Sequence, residues 1–219
     1  MSRDDDLVPR AERWSSGGCV GAIIAGGRAS RMGGAPKGLE RVGGRRIVDR
    51  VAGALAQVTD RLLLVANAPD AASWLPGVET VPDDVPDAGA LGGILTALSH
   101  AGAPVLAVAW DMPFVPASLL GELRRIAESR DEHAVVPERD ADGRVEPLCA
   151  YYGAACRAAA GERVARGELR VSGLLDDVRA HRMPLARVLD WGDPERLFLN
   201  VNTPAELESA RRLARRSVP

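Results

Sequence analysis

Ile23-Ile24-Ala25-Gly26-Gly27-Arg28-Ala29-Ser30-Arg31-Met32-Gly33-Gly34-Ala35-Pro36-Lys37 is the stretch on which the fold of this chain turns. An apolar run ends in two glycines. A loop with two arginines, two more glycines and a lysine follows. That order predicts a buried strand running into a loop that holds phosphates, because glycines let backbone N–H groups approach phosphate oxygens and basic side chains neutralise them. Neither common nucleotide motif is present. A Walker A loop ends in Gly-Lys-Ser/Thr, whereas Lys37 stands between Pro36 and Gly38, and no G-x-G-x-x-G follows Gly26. Two glycines alone would describe an ordinary strand-to-helix turn. Two glycine pairs joined to Arg31 and Lys37 ask for more.

Outward from this stretch, apolar runs alternate with helical periodicity. Cys19–Ala25, Arg61–Ala66, Val78–Val81 and Pro104–Trp110 read as strands. Ala134–Pro137, Pro147–Tyr152 and Leu197–Val201 read as later ones. Helices are predicted from about Arg46 to Gln57, after Gly89, around Leu119–Ile126, and after Thr203. Such alternation implies an α/β fold, a Rossmann-like open and mostly parallel sheet flanked by helices, in one domain over residues 19–219. Residues 1–18, polar and carrying Asp4-Asp5-Asp6, read as a flexible extension without the apolar core of a signal peptide. Ligands of open α/β sheets bind beyond the carboxyl ends of the strands. The Gly26–Lys37 loop and Asp111 both fall at such ends.

Composition narrows the function classes. A chain of 219 residues with 46% apolar and 26% charged residues is globular. A net charge of −2 and only 4% aromatic residues argue against a nucleic-acid binder. The cysteines, Cys19, Cys149 and Cys156, are odd in number and form no C-x-x-C pair, so neither a disulfide framework nor a zinc site is indicated. No apolar run approaches the roughly 20 residues of a membrane span. The cytoplasm is the expected compartment.

The loop resembles the L-A-G-G-x-x-x-R-M-G-x-x-K signature of nucleotidyltransferases. With Gly33-Gly34 and the following Lys-Gly it is similar to the molybdenum cofactor guanylyltransferase branch, the MobA family. The resemblance runs from about Gly21 to Leu213 and implies the nucleotide-diphospho-sugar transferase-like fold. It also implies transfer of GMP from GTP to molybdenum-molybdopterin, with Mg²⁺ as cofactor. It would assign the nucleotide to Ile24, Ala25, Gly26, Gly27, Gly34, Lys37, Asn67, Asp83 and Asp111. Molybdopterin-synthesis proteins and molybdoenzymes are the protein partners implied, with no nucleic acid and no membrane.

Chemistry supports these positions. Lys37 is the only lysine among the 28 lysines and arginines, so a lysine kept at the motif position suits an ammonium directed at the NTP phosphates. Arg31 matches the family arginine; Arg28 falls at a variable position. Asp111, between a strand and Met112-Pro113, matches the family's metal aspartate, and Mg²⁺ takes one or two carboxylates with phosphates and waters. The Pro82–Gly93 loop holds Asp83 and Asp84, either of which could accept from the N1–H and N2–H₂ edge of guanine. Asp83 aligns best with the family's base-recognition aspartate, but the loop is one residue shorter than the family's, so Asp84 stays an alternative.

Asn200-Val201-Asn202-Thr203-Pro204 matches the family's Asn-x-Asn-Thr-Pro beside metal and phosphates. Thr203, Pro204 and Glu206 form a capping box with proline at N1, which leaves Asn200 and Asn202 as site residues on the acceptor and phosphate side. Arg144, Glu146-Pro147-Leu148 and Arg170 fall where the resemblance places acceptor contacts. Two departures are visible. Pro36 replaces an aspartate before the lysine, and Val65 replaces a nucleotide-contacting asparagine that Asn67 could supply. The alternatives are a cytidylyltransferase for the same pterin, a sugar-phosphate nucleotidyltransferase, and a non-catalytic nucleotide- or cofactor-binding adaptor.

Overall fold

The computed structural model describes residues 18–26, 31–32 and 35–215. The proposed N-terminal extension lies outside these apart from Gly18.

A seven-stranded sheet forms the centre. Its strands in chain order are β1 (Val20–Ile24), β2 (Arg61–Val65), β3 (Glu79–Val81), β4 (Val105–Ala109), β5 (Ala134–Pro137), β6 (Cys149–Tyr152) and β7 (Ala180–Met183). Across the sheet they run β7-β5-β6-β4-β1-β2-β3. All are parallel to their neighbours except β6, which is antiparallel to both β4 and β5. The exception has a local cause. A tight reversal over Asp140–Arg144, closed by Arg139 N–H donating to the Arg144 carbonyl at 2.7 Å, brings the chain straight back.

The central strands are buried on both faces, and strand alternation sends their side chains to two cores. Ile23, Leu64, Leu106 and Val108 pack under α1 (Ile47–Leu55) and α3 (Ala117–Arg130). Ala22, Ile24, Leu63, Val65, Val105 and Ala107 pack under α2 (Gly89–Ala101), α4 (Ala155–Ala165) and α5 (Val171–Asp177). Two four-residue helices follow, α6 (Leu185–Val188) and α7 (Pro194–Leu197). The last helix, α8 (Pro204–Arg215), covers a small third core with Val42, Ile47 and Val201. All three cysteines are buried and free. Among the described residues no helix is long and apolar enough to cross a membrane.

One expectation needs correction, and one strand was not foreseen. Leu197–Val201 is not a strand. Asp193 caps Glu195 N–H at 3.0 Å with Pro194 at the first helical position, so the segment begins as α7. It then runs irregularly beside β4, where Val201 N–H donates to the Asp111 carbonyl at 3.0 Å. Buried Leu197, Phe198 and Val201 satisfy the apolar pattern without a ladder. Strand β7 carries no apolar run, and it forms as an edge against β5.

Candidate active site

The carboxyl ends of β1, β2, β4 and β5 share one edge of the sheet, and the candidate residues gather there. Backbone bonds extend the ladder past the strand ends. Ala25 N–H donates to Val65 (2.8 Å), Trp110 N–H to Ile24 (3.1 Å) and Ala66 N–H to Val81 (2.9 Å). Ile24 and Ala25 are therefore buried ladder residues, whereas Gly26 is exposed on the rim.

Lys37 arrives at the rim on a short turn, Lys37–Leu39. The turn lies flat on Trp110, which is fully buried and stacked on Trp74 with ring centroids 4.8 Å apart. Only a glycine fits at position 38, because a Cβ there would overlap the Trp110 ring. So placed, the Lys37 ammonium sits 2.6 Å from Asp111 Oδ2 and donates to Asn202 Oδ1 at 2.5 Å. Lys37 and Asp111 are both buried.

Asn202 is held by the capping box. Glu206 Oε2 accepts from the backbone N–H groups of Asn202 and Thr203, each at 2.8 Å, and Thr203 Oγ1 accepts from Glu206 N–H at 3.2 Å. Asn200 does not join this cluster; its amide donates to the Phe198 carbonyl at 3.4 Å.

On the other flank, β2 and β3 present Asn67 and Asp83. Asn67 Nδ2 donates to Asp83 Oδ2 at 2.7 Å, and Asn67 Oδ1 accepts from Asp83 N–H at 2.8 Å. Asp83 lies so close to Gly26 that a Cβ on that glycine would come within 2.9 Å of Oδ2. Oδ1 of Asp83 is buried with no hydrogen-bond partner among the described residues. Burial pushes its carboxyl above the usual range, against the pull of the Asn67 hydrogen bond and with the help of the Asp84 charge.

Asp84 turns elsewhere. Its N–H donates to the buried Thr96 hydroxyl at 2.9 Å, and its carboxylate meets His100 Nε2 at 3.0 Å on α2. The structure thus separates Asp83, which aligns best with the family, from its alternative Asp84. The anchoring Thr96 carried no sequence signal.

Of the residues considered for the acceptor, Glu146 lies near enough to Asp111 to feel its charge. It is buried, receives Arg139 Nη1 at 3.1 Å and Leu148 N–H at 3.3 Å. Burial raises its pKa, Arg139 and Leu148 N–H oppose that, and the Asp111 charge adds to it. Arg144 instead pairs with Asp140 at 2.8 Å on an exposed turn, and Arg170 is exposed ahead of α5. Arg31 pairs through its backbone with Pro36 in a short ladder. Gly27, Arg28 and Gly34 lie outside the described residues.

The donor set can be weighed for a metal. Among the described residues no group of three or more His, Cys, Asp or Glu side chains forms a metal cluster. Mg²⁺ does not require one. Asp111 Oδ2 and Asn202 Oδ1 converge on a single point that a cation, the Lys37 ammonium, occupies. These two oxygens are of the kind a divalent ion takes.

A mostly parallel sheet with a buried lysine–carboxylate pair at its carboxyl edge is the architecture expected of a nucleotidyltransferase. The model of the MobA-like NTP transferase domain matches residues 21–181, and the chain belongs to that family. It is 36% identical over 201 residues to a molybdenum cofactor guanylyltransferase of Cereibacter sphaeroides, covering 90% of this chain and 97% of that protein. It is 34% identical over 199 residues to a probable molybdenum cofactor guanylyltransferase of Pelotomaculum thermopropionicum, covering 90% and 94%. Among solved structures, molybdopterin-guanine dinucleotide biosynthesis protein A of Archaeoglobus fulgidus superposes with a TM-score of 0.75 at 24% identity, covering 90% of this chain and 99% of that one, and shares the fold.

Proposed function

We infer that this nucleotidyltransferase moves GMP from GTP to the terminal phosphate of molybdenum-molybdopterin, giving the guanine dinucleotide form of the cofactor and pyrophosphate. One observation carries the reading. A cluster of Lys37, Asp111 and Asn202 shares one rim with the half-buried Asp83 carboxylate, one oxygen of which is buried and unpartnered among the described residues. The first suits a triphosphate. The second suits a base edge that donates two hydrogen bonds, as guanine's does.

The acceptor is already an anionic phosphate, so no covalent intermediate on the protein is needed. Its oxygen attacks the α-phosphorus, the bond to the bridging oxygen breaks, and pyrophosphate leaves. Positioning and charge neutralisation supply the catalysis. Lys37 leaves Asp111 for the phosphates when the nucleotide binds. Asp111 and Asn202 would hold Mg²⁺, which neutralises phosphate charge when bound. Asp83, kept in orientation by Asn67, reads the base. Arg31 stands in the phosphate-side loop by its position in the motif.

The test is pyrophosphate release from purified protein, Mg²⁺ and molybdenum-loaded molybdopterin, with GTP against CTP. Release with GTP alone is expected. Release with CTP alone would retain the class and overturn the base assignment. Asp111→Asn should abolish turnover by about 10³-fold or more with an unchanged circular dichroism spectrum; wild-type turnover in that variant would remove Asp111 from the metal site.

A further inference from the structure

On the solvent-facing stripe of α1, away from the rim, a cavity of about 580 Å³ opens between that helix and the segment leading into α3. Arg45, Arg50 and Arg196 line it, and among the described residues no carboxylate does. Arg45 reaches only the Asp49 carbonyl, at 3.4 Å, and Arg50 Nε donates to the Val42 carbonyl at 2.8 Å. Neither is paired with an acidic side chain among the described residues. The adjacent Arg46 shows the contrast, because the Asp49 carboxylate closes on it with two bonds of 2.6 and 2.7 Å.

Arg45 and Arg50 repel each other with no acidic partner among the described residues, and an entering anion would offset that repulsion. Burial and the neighbouring Arg45 charge hold the Arg50 guanidinium below its usual pKa, as expected of such a cluster. The wall is completed by Phe114, with the Arg196 guanidinium 5.2 Å from its ring centroid. The cavity also meets the first residues of α3, whose first turn carries no acidic side chain, so the helix dipole acts in the same sense. None of Lys37, Asp83, Asp111 or Asn202 lines this space.

We propose that the cavity is a second anion site, which takes a small phosphorylated ligand with its phosphate on Arg45 and Arg50. Two guanidinium forks offer more donors than one carboxylate uses, and a phosphate dianion matches their charge. The volume lies within the roughly 300–1,000 Å³ of small-molecule pockets.

Inorganic pyrophosphate is the probe, titrated into the whole protein in the presence of EDTA and followed through the arginine side-chain ¹⁵Nε–¹H signals. These signals separate this site from the catalytic rim. Saturable shifts of Arg45 and Arg50 are expected in the wild type. In R45Q/R50Q, the shift of Arg196 should require at least about tenfold more pyrophosphate, while nucleotidyl transfer stays at the wild-type rate. Arg45 and Arg50 signals that stay still under saturating pyrophosphate would overturn the proposal. So would signals that answer a poly-glutamate peptide but not pyrophosphate, since the face would then dock an acidic protein segment. The titration involves no turnover, so it stands or falls separately from the guanylyltransferase reading.

Discussion

Asn67 and Asp83 bind each other twice, amide to carboxylate at 2.7 Å and backbone N–H to amide oxygen at 2.8 Å. These two hydrogen bonds hold the Asp83 carboxylate beside Gly26 and leave one of its oxygens buried and without a partner among the described residues. Leaving a buried acceptor unpaired costs about 1–3 kcal/mol, a cost that a ligand donating to that oxygen would remove. Asp83→Asn should therefore cut the preference for GTP over CTP by roughly ten- to a hundredfold, read as the ratio of kcat/KM values. Asp84→Asn, which loses its His100 ion pair and its charge beside Asp83 but leaves the Asn67–Asp83 bonds intact, should leave that ratio nearly unchanged.

The same carboxylate has a signature in stability. Its folded pKa is raised by burial above the ordinary value of 3.8. A group of this kind favours the fold below the unfolded value, and that contribution is lost as pH rises through the folded value. At neutral pH the ionised Asp83 therefore weakens the fold. Thermal melts from pH 4 to 8 should find Asp83→Asn more stable than the wild type at neutral pH, with the gap closing toward the acid end. A constant gap across that range would contradict this.

Lys37 and Asp111 form a buried ion pair, with the two side chains 10% and 6% exposed. Removing one partner strands the other. Lys37→Ala should cost about 3 kcal/mol in urea denaturation. Lys37→Ala combined with Asp111→Asn should recover part of that loss, because no buried charge then lacks a partner. Both variants should have lost nucleotidyl transfer.

Gly38 and Trp110 are in direct contact, and Trp110 cannot retreat because Trp74 stacks behind it. Gly38→Ala should destabilise the protein by about 1–3 kcal/mol and displace Lys37 from Asp111 and Asn202. A kcat that falls while KM for GTP changes little would identify the displacement. Unchanged stability would show that the turn can slide off the ring.

Much of this architecture was legible. Ala134–Pro137 was read to the residue, and the central strands to within a residue or two at each end, because continuous apolar runs bounded by Gly, Asp and Pro are local signals. The capping box at Thr203 and Glu206 was equally local. Strand β7 was not legible, since Ala180-His181-Arg182-Met183 becomes a strand only by pairing with β5, which lies more than forty residues away. Leu197–Val201 was misread for the converse reason: its apolar residues are buried by tertiary packing without any ladder.

The pattern of residues settled the class of fold and singled out Lys37 and Asp111, which the structure brings together in one ion pair, since periodicity and motif spacing are properties of the chain alone. Three-dimensional packing set Asp83 on Asn67 and Asp84 on Thr96 and His100, set Asn202 but not Asn200 on Lys37, and gathered Arg45, Arg50 and Arg196 around one cavity. Those outcomes depend on which side chains meet across 12 to 165 positions of sequence. No local propensity encodes such meetings; burial and hydrogen-bond satisfaction in the folded state select them.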